Sequence, residues 1–175
     1  MVYYAYFHSA MMYGIIFWGN STDSNKIFLQ QKRTVRTILG INPWRTCRPY
    51  FKTLGIMTKP SQYILSLMEF LINNLAHFSL NSEIHNKFTR NMMCLYVPKV
   101  NLSLYQEGVY YVSIKVFNTI PNCTADLVQN KKKFMGKLKS VLMIQSFLFG
   151  KQFFRLLWNV MRNWMCMIDT PYIVT

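Results

Sequence analysis

Hydrophobic positions recur at helical spacing along most of this chain. Between Asn25 and Leu39 they lie three or four residues apart, which predicts a helix with one inner stripe. That stripe is Phe28, Gln31, Val35 and Ile38. The outward positions are Lys26, Arg33 and Thr37, with Lys32 and Arg36 on a flank. Asp23 or Ser24 is suited to cap the first turn, and Gly40 is suited to end the helix in a left-handed conformation.

The same periodicity predicts four further helices and a final apolar one. They cover residues 3–18, 61–78, 108–120, about 124–148, and the Trp-rich segment beyond Gly150. Residues 108–120 are also rich in strand-forming types, but their apolar positions share one helical face. We expect residues 44–52 to be irregular and residues 79–101 to be mostly loop with a short extended piece at 95–97. The predicted fold is therefore mainly α, a small helical bundle with irregular loops.

The amino-acid composition indicates which class of partner to expect. Of 175 residues 51% are hydrophobic, which is enough for a core and too apolar for a disordered tail. Twenty basic residues stand against six acidic ones, for a net charge of +14. So positive a chain repels itself unless an anionic partner is present. The two usual partners are nucleic acid and an anionic membrane surface.

The chemistry-bearing residues do not form a recognisable catalytic or metal-binding motif. The acids are Asp23, Glu69, Glu83, Glu107, Asp126 and Asp169, and no two are adjacent. Nucleotidyl transfer requires clustered carboxylates around metal ions, so we expect no enzyme activity. The cysteines are Cys47, Cys94, Cys123 and Cys166, without zinc-finger spacing. We therefore expect no bound metal and no cofactor.

Two stretches bear on location. Residues 1–18 are apolar but lack the basic start and cleavage site of a secretory signal. Residues 153–168 are interrupted by arginines and asparagines, which argues against a membrane-spanning helix and favours an amphipathic one. Such a helix more commonly packs on its own domain, and the alternative is that it lies on a membrane surface. We expect an intracellular protein, nuclear or cytoplasmic, without a transmembrane helix.

The basic clusters are the candidate functional residues. One group lies on the 25–39 helix and just beyond it: Lys32, Arg33, Arg36, Arg45, Arg48 and Lys52. Trp44, Tyr50 and Phe51 flank its arginines and would suit stacking on unpaired bases. A secondary basic face is Lys131, Lys132, Lys133, Lys137 and Lys139. The alternative interpretation is a solvated basic surface with its aromatic side chains buried.

Several motifs, taken in order, resemble the region after the catalytic palm in reverse transcriptases of jockey-like non-LTR (LINE-type) retrotransposons from insects. The first is YGIIFWGNSTDSNKIFLQQKRTVRTILGI at 13–41. It is followed by RPYFKTLGI at 48–56, PSQYI at 60–64 and NKFTR at 86–90. Residues 105–121, with Lys115, Phe117, Asn118 and Pro121, and FMGKLKSVL at 134–142 complete the series. The resemblance covers about residues 3–145, and its specificity lies in order and spacing.

The resemblance implies a non-catalytic C-terminal fragment of an RNA-directed DNA polymerase. It implies a thumb-like helical segment at 1–58 that contacts template and primer, a helical C-terminal region at 59–148, and an atypical apolar tail at 149–175. The ancestral protein partner would be the palm, whose absence would expose residues 3–18. Three features depart from the family: the paired aspartates are missing, Lys59 occupies a usually apolar position, and the tail has no counterpart. The alternatives are a basic membrane-surface or interaction protein, and an untranslated element remnant without function.

Overall fold

The computed structural model describes residues 2–85, 92–119 and 130–145, and these ranges are mainly helical, as predicted. A π-helix, Tyr3–His8, continues into α1, Ser9–Met12. The next helices are α2 Ile15–Trp18, α3 Ser24–Leu39, α4 Arg48–Thr53 and α5 Lys59–Asn73. A 3₁₀ turn, Leu75–His77, precedes α6 Asn81–His85 and α7 Ser103–Gln106. The described part ends with α8 Val109–Thr119 and α9 Lys131–Gln145.

Helix α5 is the centre of the molecule. It contacts α2, α3, α8 and α9. The helix predicted over residues 61–78 ends earlier, at Asn73, and its apolar stripe is buried at Ile64, Leu67 and Leu71, each without measurable exposure. α8 and α9 supply the facing residues Val112, Val116, Phe134, Leu138 and Leu142. Burial of this apolar surface is the main stabilising contribution in a domain of this size.

A second, smaller cluster holds the N-terminal elements together. It consists of Tyr3, Val35, Cys47, Phe51 and Ile56. These residues come from the π-helix, α3, α4 and the segments beside α4. The cluster therefore fixes α4 against the C-terminal half of α3.

The predicted helix at 3–18 is interrupted. Gly14 has φ +61°, a left-handed conformation that glycine adopts without steric cost, and it separates α1 from α2. The segment is only partly exposed: Met11 and Ile15 are buried, whereas Tyr13 and Phe17 are exposed. It is therefore both a core contributor and an apolar surface.

The prediction for α3 is confirmed in outline and wrong at two points. Phe28, Gln31 and Val35 are buried, but Ile38 is 48% exposed because it lines an open groove beside Tyr6 and Phe7 of the π-helix. Asp23 occupies the N-cap position without capping, since its carboxylate pairs instead with Lys26 Nζ at 2.8 Å. Gly40 ends the helix at φ +61°, as predicted.

Residues 48–53 form α4 where an irregular segment was predicted. Pro49 lies in the first turn, where proline fits a helix, and Phe51 supplies the buried anchor. The segment 79–101 is largely loop, with the short α6 and one antiparallel bridge between Leu80 and Leu95. The NKFTR motif at 86–90, the start of the predicted 124–148 helix and the tail at 149–175 lie outside the described residues.

Candidate nucleic-acid interface

The outer face of α3 carries the first three predicted basic residues. Arg33 is exposed, and Lys32 and Arg36 are half-buried on the flanks. The Lys32 ammonium lies 4.2 Å from the centroid of the Phe28 ring, a cation–π distance. Lys32 is thus held along the helix surface, while the Arg33 guanidinium extends into solvent.

A hydrogen bond joins the end of α3 to the following loop. Arg36 Nε donates to the carbonyl oxygen of Arg45 at 3.1 Å. Within this loop the backbone N–H of Trp44 donates to Asn42 Oδ1 at 3.0 Å. The Trp44 side chain is 92% exposed. The structure therefore brings Arg36 and Arg45 together and leaves an indole beside them in solvent.

Helix α4 adds two cations. Arg48 and Lys52 are one turn apart and both exposed. Of the three flanking aromatic residues, Phe51 is buried and Tyr50 is half-buried against the second cluster. The predicted stacking role is therefore wrong for Phe51, because its ring is a core anchor. Trp44 is the aromatic side chain in this region that is fully available to a ligand.

We call Lys32, Arg33, Arg36, Arg45, Arg48 and Lys52 the α3–α4 basic surface. Its arginines make no ion pair with any carboxylate of residues 2–85, 92–119 or 130–145. Lys26 and Asp23, at the opposite end of α3, do form such a pair. Because acidic neighbours do not neutralise the arginines, their field acts on solvent and on any anion that approaches.

The secondary face lies on α9. Lys132, Lys133, Lys137 and Lys139 are exposed, and Lys131 donates a hydrogen bond to Asn73 Oδ1. We call these five residues the α9 lysine face. No large apolar side chain between 130 and 143 is exposed beside them. This face offers charge without an aromatic surface for base stacking.

Sequence reasoning missed the importance of Lys59. Its side chain is 5% exposed, and its ammonium donates to the carbonyl oxygen of Gly19. Burial lowers the pKa of Lys59 to about 8. The sequence signal for this role was a lysine at a position that is usually apolar in the family the chain resembles.

The sequence pattern puts Gln31 in the inner stripe of α3 but does not predict what its side chain binds. It is fully buried and makes three hydrogen bonds: Nε2 donates to Tyr3 Oη at 2.7 Å and to the Met57 carbonyl at 2.9 Å, and Oε1 accepts from the Lys59 N–H at 2.8 Å. It therefore links the π-helix, α3 and the start of α5. Its signal was a polar residue within an otherwise apolar stripe.

The described ranges lack the features of two other classes of site. No group of three His, Cys, Asp or Glu side chains there lies close enough to hold a metal ion. Nor does any helix in those ranges have both the length and the apolar character needed to cross a membrane. In comparisons with known proteins, the chain matches no protein-family model, no curated protein and no solved structure.

Proposed function

We propose that this chain is a non-catalytic, nucleic-acid-contacting fragment of a non-LTR retrotransposon reverse transcriptase. In this proposal residues 1–58 act as a thumb-like unit, the α3–α4 basic surface contacts template or primer, and the ancestral protein partner is the palm. The protein acts inside the cell, in the nucleus or cytoplasm. The observation that supports the proposal best is the hydrogen bond that joins Arg36 to the Arg45 carbonyl, next in sequence to the exposed indole of Trp44.

The chemistry of this surface suits a phosphate backbone. Guanidinium groups can donate two parallel hydrogen bonds to a phosphate, which ammonium groups cannot do. Arg33, Arg45 and Arg48 are exposed and extend from separate elements, so they can contact different phosphates. Since phosphate contacts carry no base information, we expect binding with little sequence specificity.

Trp44 favours unpaired nucleic acid over duplex. An indole stacks on a base regardless of its identity, and such stacking contributes about 1–3 kcal/mol per base. A duplex keeps its bases stacked on one another and offers this side chain no free face. The surface therefore combines charge for the backbone with one stacking position for a base.

The proposal is tested by salt-dependent binding of the full chain to a single-stranded RNA. Arg33, Arg45 and Arg48 are changed together to Gln, since none of their side chains makes a hydrogen bond or ion pair within the described residues. We expect weaker binding and a slope of log K against log salt that is shallower by up to about 2 units, at about 0.7 per lost phosphate contact. Fluorescence anisotropy from low to moderate salt measures both quantities.

The matched control changes Lys132, Lys137 and Lys139 to Gln, which removes the same charge from the α9 lysine face. We expect this variant to keep most of the wild-type slope. A larger change in the control would place the contacts on α9. Loss of affinity in neither variant, with flotation on vesicles containing anionic lipid, would overturn the proposal in favour of a membrane-surface protein.

A further inference from the structure

A cavity of about 220 Å³ lies between the α2–α3 turn and the start of α5. A site for a single water needs about 10–15 Å³, so this cavity has room for a small ligand and several waters. Its inner wall includes Lys59, and its outer wall carries the exposed polar residues Ser21, Thr22 and Asn25. Polar and apolar groups share the walls of this cavity, which distinguishes it from an ordinary apolar packing defect.

The cavity is built around a close approach at Gly19. A Cβ atom at this position would lie 2.2 Å from the Tyr63 ring and 2.5 Å from the Ile15 carbonyl oxygen, so a larger residue cannot fit without displacement. The approach brings the Gly19 carbonyl to the ammonium of Lys59. The turn is thereby fixed over the buried cation.

Within the part of the chain that the structure describes, Lys59 forms no ion pair. One of its three donors bonds to Gly19, and the rings of Trp18 and Tyr63 lie 5.6 and 5.7 Å from Nζ. No carboxylate of the described ranges lies within ion-pair distance of it. A buried ammonium without a counter-charge is costly, and an anion in the cavity would supply that charge.

Two long helices also direct their positive ends at the cavity. Ser24 and Asn25, at the start of α3, and Lys59, at the start of α5, all line it. Neither N-cap side chain, Asp23 or Thr58, makes a capping hydrogen bond. The first N–H of α5, that of Lys59, donates to Gln31 Oε1, so this helix end acts on the cavity through its dipole and not through that group. The dipoles of both helices therefore favour an anion at the place where the lysine already does.

We propose that this cavity is a binding site for a phosphate-type oxyanion, with Lys59 as its charged ligand. The hydroxyl groups of Ser21, Thr22 and Ser24 line the wall and are suited to donate to its oxygens. Among the described residues that line the cavity, the exposed Glu107 carries a carboxylate, which opposes binding and limits the affinity. The site is separate from the α3–α4 basic surface and does not depend on its function.

The test is titration of the full chain with inorganic phosphate, followed by calorimetry and by amide NMR shifts of the α2–α3 turn. We expect Lys59→Met to weaken binding about tenfold or more, as for loss of a charge-assisted hydrogen bond. Lys139→Met, which removes an exposed lysine from α9, should leave the affinity unchanged. Glu107→Gln should tighten binding about threefold by removing a like charge, and it tests the site even if Lys59→Met fails to fold.

Two further measurements show which kind of phosphate binds and whether the two proposed sites are independent. A short oligonucleotide with a 5′-phosphate, compared with its 5′-hydroxyl form, shows whether the ligand is a nucleic-acid end or free phosphate. The Arg33, Arg45 and Arg48 triple variant should keep its affinity for inorganic phosphate. Equal phosphate affinity in wild type and Lys59→Met, no change in Glu107→Gln, or no saturable binding at millimolar phosphate would each overturn the proposal.

Discussion

Helices α3 and α9 are held against α5 by different means. Both contact α5, and both carry basic residues on their outer faces. α3 places Gln31 in its buried stripe and connects it by three hydrogen bonds. α9 presents an apolar stripe of Phe134, Leu138 and Leu142, each 1% exposed. An apolar stripe favours burial in several similar registers, whereas directional hydrogen bonds specify one.

The solvent-facing sides of α3 and α9 also differ in how firmly their charged groups are held in place. The α3–α4 basic surface consists mainly of arginines, and one of them, Arg36, is fixed by the Arg45 carbonyl. The α9 lysine face consists of ammonium groups on flexible stems, which act as point charges. On α3, an arginine at the surface is held by a hydrogen bond, and the buried side of the same helix is also held by hydrogen bonds. We therefore expect α3 and α4 to contact phosphates at defined positions, and α9 to attract nucleic acid by its charge alone.

The comparison is tested most strongly at Gln31. Gln31→Leu would leave the Lys59 N–H, the Met57 carbonyl and the Tyr3 hydroxyl without the partners they have now. Each such buried group costs about 1–3 kcal/mol, so we expect the free energy of unfolding to fall by about 4 kcal/mol. Urea denaturation followed by tryptophan fluorescence and circular dichroism measures the change.

Leu138→Ala is the counterpart on α9. It creates a cavity in the apolar stripe, and we expect a loss of about 2–5 kcal/mol. Both substitutions therefore cost stability, but they should differ in binding. Gln31→Leu should also weaken nucleic-acid binding under conditions where the chain remains folded, because α3 loses its fixed position. A Gln31→Leu protein with unchanged stability would contradict the role given to these hydrogen bonds.

The next prediction concerns pH and the buried Lys59 at the start of α5. The pKa of Lys59 is lowered from 10.5 to about 8 by burial. Between these values the unfolded chain binds more protons than the folded one, so stability rises with pH. We expect a gain of about 1–2 kcal/mol between pH 8 and pH 10, reduced from the full shift because the mouth of the cavity is wet.

The rise of stability with pH ends near pH 10 because of Tyr63. Burial raises the pKa of Tyr63 from 10.0 to about 12, so the unfolded chain loses this proton first and stability falls above pH 10. Thermal melts across the range should show the rise in wild type and not in Lys59→Met. The same rise in both proteins would assign it to another group.

Much of the fold could be predicted because periodicity reports local geometry. The stripe of α3, its end at Gly40 and the central helix α5 follow from residue spacing and residue type. The break at Gly14 and the exposure of Ile38 depend on which surfaces meet, which spacing does not report. At the candidate site, exposed arginines were predicted by type. The roles of Gln31 and Lys59 depend on partners 26 to 40 residues away and could not be predicted.

The smallest effects, about 1 kcal/mol or less, come from one glycine on each side of the comparison. Gly40 ends α3 at φ +61°, and a Cβ added there would meet no atom within 4 Å. Gly40→Ala therefore loses stability through the backbone alone, by about 1 kcal/mol. Gly136 lies in the interior of α9, is exposed and has the same open surroundings. Gly136→Ala should gain about 0.5–1 kcal/mol, because alanine loses less backbone freedom in a helix. Thermal and urea denaturation of the two variants should thus give shifts of opposite sign, although neither alanine makes a new contact. Equal signs would show that α9 is not a regular helix at Gly136 or that α3 does not end in a left-handed residue.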